Sequence, residues 1–134
     1  MNTPLREYVT IEDCTNGMFN RFTEAKRQKS IDKANLECED LAKRRGITDL
    51  TTIASETHFK LVDYLVTYAE RDLAQQNIGF NNDGTSVEDK YETWYKRSTY
   101  ILQGLKPQIT KSVFTGIDET QESRAIVSQK IYRN

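Results

Sequence analysis

The side chains of this sequence best suited to acid–base or metal chemistry are Glu56, His58, Asp63, Glu70 and Asp72. His58 is the only histidine, which removes any two-histidine mechanism and most metal sites. Close to a predicted helix start, it reads as an ordinary half-exposed residue. Glu56, Asp63 and Glu70 recur at a spacing that returns to one helical face, and a solvated polar stripe accounts for that pattern without a metal. A small hydrolase or metal enzyme built on His58 and Asp63 is the reading this group allows. Cys14 lies near a helix start and could act as a nucleophile only with a base close by. Gly79 and Gly84 lack the Gly-Lys-Ser/Thr ending of a phosphate loop, and no Gly-x-Ser-x-Gly nucleophile turn occurs. The expectation is a protein without a catalytic residue, metal or cofactor.

Two basic clusters, Lys26/Arg27/Lys29 and Lys43/Arg44/Arg45, could instead contact phosphates or line a DNA channel. Solvation explains the first, placed in a loop, and the second suits the negative end of a helix. Nineteen basic against 20 acidic residues leave a formal charge of −1, so no global field draws the chain to nucleic acid or an anionic membrane. A helical nucleic-acid-binding regulator is therefore the second reading, and it would depend on local patches. Tyr91, Trp94 and Tyr95 have the spacing of a packed helix face rather than of a base-stacking platform.

At 134 residues the chain has the size of one domain, and at 37% apolar residues with a mean hydropathy of −0.72 its core is modest. Small polar subunits of this kind often complete their burial by oligomerising, which is the expectation here. Cys14 and Cys38 are too few and too far apart for a zinc site and read as reduced small hydrophobes in a cytosolic folding environment. Met1–Tyr8 lacks the apolar run of a signal peptide, and no stretch is long and apolar enough to span a bilayer. No membrane partner is expected.

Helical patterns position these residues. Thr10 before Ile11-Glu12-Asp13 predicts a short capped helix limited by Gly17. Met18, Phe19 and Phe22 follow, then a basic loop. Ser30 is placed to cap a second helix with Ile31, Ala34, Cys38, Leu41 and Ala42 on its buried stripe, ending in Lys43–Arg45 and Gly46. The longest helix is predicted over Ser55–Gln76, with Phe59, Val62, Leu65, Val66, Ala69 and Leu73 at helical period. Gly79 and Asn81–Gly84 turn the chain, and Ser86 opens a last helix to Leu105, antiparallel to the third, with Tyr91, Trp94, Ile101, Leu102 and Leu105 on its apolar face. Gly104 and Pro107 close it. From there the chain is expected to be irregular or extended, with Ala125-Ile126-Val127 and Ile131-Tyr132 suited to strand addition on a neighbour or to a short amphipathic helix.

Certain residues carry a resemblance: Tyr8-Val9-Thr10-Ile11-Glu12-Asp13, then Asp63-Tyr64-Leu65 and Tyr68-Ala69 in the long helix, the turn, Tyr91 through Leu105, and Ile109-Thr110. In order and type they resemble the small head-tail connector proteins of tailed bacteriophages, also called adaptor or head-completion proteins. The resemblance implies an all-α subunit that joins a ring, commonly of twelve copies, between portal and tail in the virion neck, made in the host cytoplasm and contacting the portal protein, a downstream tail or stopper protein and the DNA in the channel. It implies no catalytic residue. The combined expectation is a small bundle of about four helices over residues 1–110 and an extended arm over Lys111–Asn134, whose Phe114, Ile117, Ile126, Val127, Ile131 and Tyr132 contact a partner or neighbour. Another neck or tail-completion protein of different fold is the alternative within the same setting.

Overall fold

The computed structural model describes residues 3–79 and 90–116. Among the described residues there are four α-helices, α1 (Glu24–Arg44), α2 (Phe59–Gln76), α3 (Lys90–Leu105) and α4 (Lys111–Thr115), with single 3₁₀ turns at Ile11–Asp13, Phe19–Arg21, Leu50–Thr52 and Lys106–Gln108, and no strand. The fold is all-α, as the periodicities require. The expected helix at Thr10 is one 3₁₀ turn, Ile11–Asp13, and Asp13 accepts a hydrogen bond from the Thr10 amide at 2.8 Å. With α4, a helix not foreseen from the sequence, the number of α-helices is again four.

The order of the bundle follows from where polar side chains cross between helices. Ser30 and Lys33 of α1 reach Asp72 of α2, whereas Glu37, farther along α1, meets Tyr64, farther back in α2, so α1 and α2 run antiparallel. Glu70 meets Trp94 and Arg71 meets Thr99, and Tyr64 lies beside Lys106 in one cleft, which makes α3 antiparallel to α2. The central helix is α2, packed on both α1 and α3. Leu61, Leu65, Ala69 and Leu73 of α2 are buried against Ile31, Ala34, Cys38 and Leu41 of α1 and Trp94, Ser98 and Leu102 of α3.

Three features differ from the sequence expectation. The first is the start of α1, which lies six residues ahead of Ser30: Thr23 is the N-cap, its hydroxyl accepting from the Lys26 amide at 3.3 Å. Ala25, Lys26, Arg27, Gln28 and Lys29 are strong helix formers that extend the helix into solvent without an apolar stripe. Ser30, freed from capping, is buried and donates to Asp72 at 2.8 Å. The second is α2, which begins at Phe59 rather than Ser55, and Phe59 is 66% exposed because the buried face of the first turn is the one that carries Leu61. Ile101 is likewise exposed rather than on the inner face of α3.

The third difference concerns the chain after Pro107. Ile109, Val113 and Phe114 are buried, α4 packs on α2, and the Ala54 amide donates to the Phe114 carbonyl at 2.8 Å. Phe114 therefore belongs to the core, not to an arm, and the bundle extends through Gly116. Gly116 ends α4 at φ 77°, a left-handed geometry that favours glycine, and its amide donates to Ser112. Gly46 ends α1 in the same way at φ 91°. The expected helix start at Ser86 and the arm residues Ile117, Ile126, Val127, Ile131 and Tyr132 lie outside the described residues.

A polar latch binds the N-terminal segment to α1. The carboxamide oxygen of the fully buried Asn35 accepts from the Tyr8 and Val9 amides, each at 3.0 Å, and its nitrogen donates to the Val9 carbonyl at 3.1 Å. One turn on, Glu39 accepts from the Tyr8 hydroxyl at 2.7 Å and the Leu5 amide at 2.8 Å. Burial, then the Glu39 carboxylate beside it, raises the Tyr8 hydroxyl well above its ordinary range, so it stays a donor. Asn35 and Glu39 are four residues apart and share a helix face, which lets both hold the same N-terminal segment against α1.

Candidate functional site

The residues singled out for chemistry do not converge. His58 is the N-cap of α2: its Nδ1 accepts from the Lys60 amide at 3.1 Å and its ring stacks on Phe59 at 4.5 Å. An accepting Nδ1 places the ring's proton on Nε2 and leaves Nδ1 committed to the backbone. Glu56 precedes the helix and Asp63 is exposed, and both line the groove described below. Glu70 turns toward α3 and accepts from the Trp94 indole at 3.0 Å, and Asp72 turns toward α1. The spacing of Glu56, Asp63 and Glu70 thus does not make a single stripe, because α2 starts after Glu56. Among the described residues no group of three or more His, Cys, Asp or Glu side chains is placed to hold a metal ion.

Cys14 and Cys38 are both free and buried. Desolvation, reinforced by nearby carboxylates, pushes each thiol up to about 12. A thiol so poised is almost wholly protonated at neutral pH and is a poor nucleophile. Burial likewise raises the Glu70 carboxyl, with the Trp94 hydrogen bond opposing it.

The two basic clusters do not converge on one patch. Lys26, Arg27 and Lys29 lie in the first turns of α1, not in a loop, while Lys43 and Arg44 lie in its last turn and Arg45 is its C-cap. Lys26 and Lys43 stand roughly 25 Å apart along the helix at its 1.5 Å rise. Arg27 donates to the Phe22 carbonyl at 3.0 Å, and Arg44 pairs with Glu37 at 3.2 Å. Arg45 donates to the Ile109 carbonyl at 2.7 Å and the Lys106 carbonyl at 3.0 Å, clipping α1 to the end of α3. All three guanidinium groups serve the fold, and Lys26, Lys29 and Lys43 remain as exposed cations.

What the structure does assemble is a groove of about 510 Å³ at the N-terminal end of α2. Ala54, Phe59, Val62, Val113 and Gly116 give it apolar lining, and Glu56, Thr57, His58 and Asp63 give it polar lining. It exists because Phe59 stands outside the buried face of α2 while the Ala54–Phe114 backbone bond draws α4 alongside. A second exposed apolar pair, Tyr100 at 79% and Ile101 at 41%, lies on the outer side of α3. Neither surface was legible from periodicity, which assigns Phe59 and Ile101 to the buried stripe. The polar cleft between α2 and α3 is smaller, about 240 Å³, and is braced by Tyr64 donating to Glu37 at 2.8 Å and Arg71 donating to Thr99 at 3.0 Å. Comparison with known proteins returns no matching family model, no similar curated protein and no similar solved structure.

Proposed function

We propose that this chain is a structural subunit that works by contact rather than catalysis: a head-tail connector of a tailed phage, assembling as a ring between portal and tail. The observation that carries the reading is a pair of separate apolar surfaces among the described residues, Phe59 with its groove at one end of α2 and Tyr100 with Ile101 on the outside of α3. A ring is built from head-to-tail contacts, in which each copy offers two different patches, whereas a two-fold dimer needs one self-complementary patch. Isolated exposed hydrophobics are ordinary, but a groove and a distinct aromatic–aliphatic pair on different elements meet the ring's requirement. The resemblance of Tyr8–Thr110 to connector proteins supplies the portal and tail as partners. The nucleic-acid reading is weaker, since Arg27, Arg44 and Arg45 are engaged within the fold.

The test is co-sedimentation with the portal ring encoded in the same genome, comparing the full chain, a chain ending at Gly116 and a Tyr100→Ser/Ile101→Ser variant. Ending at Gly116 rather than before Ser112 matters, because Val113 and Phe114 are core. Stoichiometric binding by the full chain, reduced in both altered forms, supports the connector reading. Failure of the folded full chain to bind an assembled portal overturns it.

A further inference from the structure

We propose that the groove at the start of α2 is the docking site for this chain's own residues 124–132, held in the same subunit. The groove is apolar along Phe59, Val62 and Val113, and its Glu56 and Asp63 carboxylates give it negative charge. Of the chain's own sequence beyond Gly116, one stretch has the matching pattern: Ala125-Ile126-Val127 and Ile131-Tyr132, with Arg124, Lys130 and Arg133 beside them. Apolar side chains fit the apolar lining and the cations fit the carboxylates.

The tether decides between copies. Gly116 is at once the last described residue and part of the groove, so the segment starts where it must return. Ile126 is ten positions after Gly116, a reach of up to about 33 Å when extended, which is ample for reversal across a groove that Gly116 itself lines. A linker this short holds its end at roughly millimolar effective concentration, so even an intrinsic affinity of about 0.1 mM covers the groove in about nine molecules of ten. In the isolated chain a second copy at micromolar concentration does not displace it; the ring contact of the proposed function uses the groove only after docking on the portal has drawn the segment away. The inference goes beyond the connector reading and needs no partner: it concerns the isolated chain, so failure to bind a portal leaves it standing.

The sequence provides two reporters. His58, the only histidine, lines the groove, and Trp94, the only tryptophan, is buried where α3 meets α2. In the full chain carrying Ile126→Asp and Val127→Asp, the His58 ring proton should shift in NMR spectra and amide exchange across residues 57–62 should quicken about tenfold, from the occupancy above. Both effects should be independent of protein concentration, with Trp94 emission unchanged. Identical His58 shifts and exchange in the parent and the variant overturn the proposal. Differences that grow with protein concentration also overturn it, by assigning the groove to a second copy. If the double variant unfolds, Phe59→Ser is the alternative perturbation, since that side chain is 66% exposed. It should quicken exchange across residues 125–132, and unchanged exchange there overturns the proposal.

Discussion

Replacing Asn35 by Ala strikes the point where the N-terminal segment is fastened to the bundle. The substitution removes three hydrogen bonds at once and leaves the Tyr8 and Val9 amides and the Val9 carbonyl without their protein partners, in a place where Tyr8 is 4% and Val9 1% exposed. At about 1 kcal/mol net for each bond, and somewhat more where a buried group is orphaned, the loss comes to about 3–4 kcal/mol. For a domain of this size that is a large share of total stability, equivalent to a fall in Tm of roughly 10 °C or more. Denaturant titration gives the energy, and amide exchange gives the location: Tyr8 and Val9 should lose protection first. Asn35→Asp should be comparably harmful at neutral pH, because it sets a buried carboxylate against the Val9 carbonyl. It should recover in acid, where the protonated carboxyl can donate again. A loss under about 1 kcal/mol for Asn35→Ala, or unchanged exchange at Tyr8 and Val9, would refute the latch.

Other consequences follow from single contacts. Arg45→Ala should cost about 2–3 kcal/mol by denaturant titration, because two charge-assisted bonds to the Ile109 and Lys106 carbonyls are lost, whereas Lys43→Ala should stay within about 0.5 kcal/mol. Arg45→Lys should not restore stability, since one ammonium cannot reproduce the forked geometry, and full rescue by Lys would show that charge alone matters. Because burial raises the folded-state carboxyl of Glu70 above its ordinary 4.5, the folded protein holds that proton more tightly than the unfolded chain. Its contribution therefore favours folding in acid and declines as pH rises above about 4.5. Glu70→Gln, which can still accept from the Trp94 indole, should be more stable than the parent at neutral pH and no more stable at pH below about 4. Cys14 and Cys38 should resist iodoacetamide at neutral pH in the folded protein and react once it is denatured; rapid labelling of the native chain would contradict their burial and raised thiols.

Apolar periodicity made the bundle legible but not its ends. Ile31, Ala34, Cys38 and Leu41, and Leu65, Ala69 and Leu73, lie on the inner faces their spacing requires. Periodicity fails at the helix starts. At the start of α1 good helix formers project into solvent without apolar residues, and in α2 the buried face is centred on Leu61, Leu65, Ala69 and Leu73, which leaves Phe59 outside it. Ile109, Val113 and Phe114 were hidden for the opposite reason: too short a run to show a period, they are buried by long-range contacts, including the Arg45 clip and the Ala54–Phe114 bond. The Asn35 latch could not be read from sequence, since its three partners come from a segment 26 and 27 residues away. The basic clusters illustrate a related limit, because a string of cations does not reveal which guanidinium groups will cap carbonyls.

The stabilising polar contacts lie apart from the Tyr100–Ile101 surface, whereas Thr57 of the groove donates to the Tyr8 carbonyl at 2.8 Å, and this difference bears on how such a subunit can assemble. Asn35 and Glu39 fasten the N-terminal segment to α1, Asp72 ties α1 to α2, and Arg45 closes the end of α3. None of these side chains lines the groove at Phe59, and none belongs to the Tyr100–Ile101 pair. Sites without shared partners contribute additively to stability, so changes at Tyr100 should leave the folding energy within about 0.5 kcal/mol and act on association alone. Combining Tyr100→Ser with Asn35→Ala tests this. The stability loss should equal that of Asn35→Ala within about 0.5 kcal/mol, and a larger coupling would show that the outer side of α3 helps to hold the bundle together.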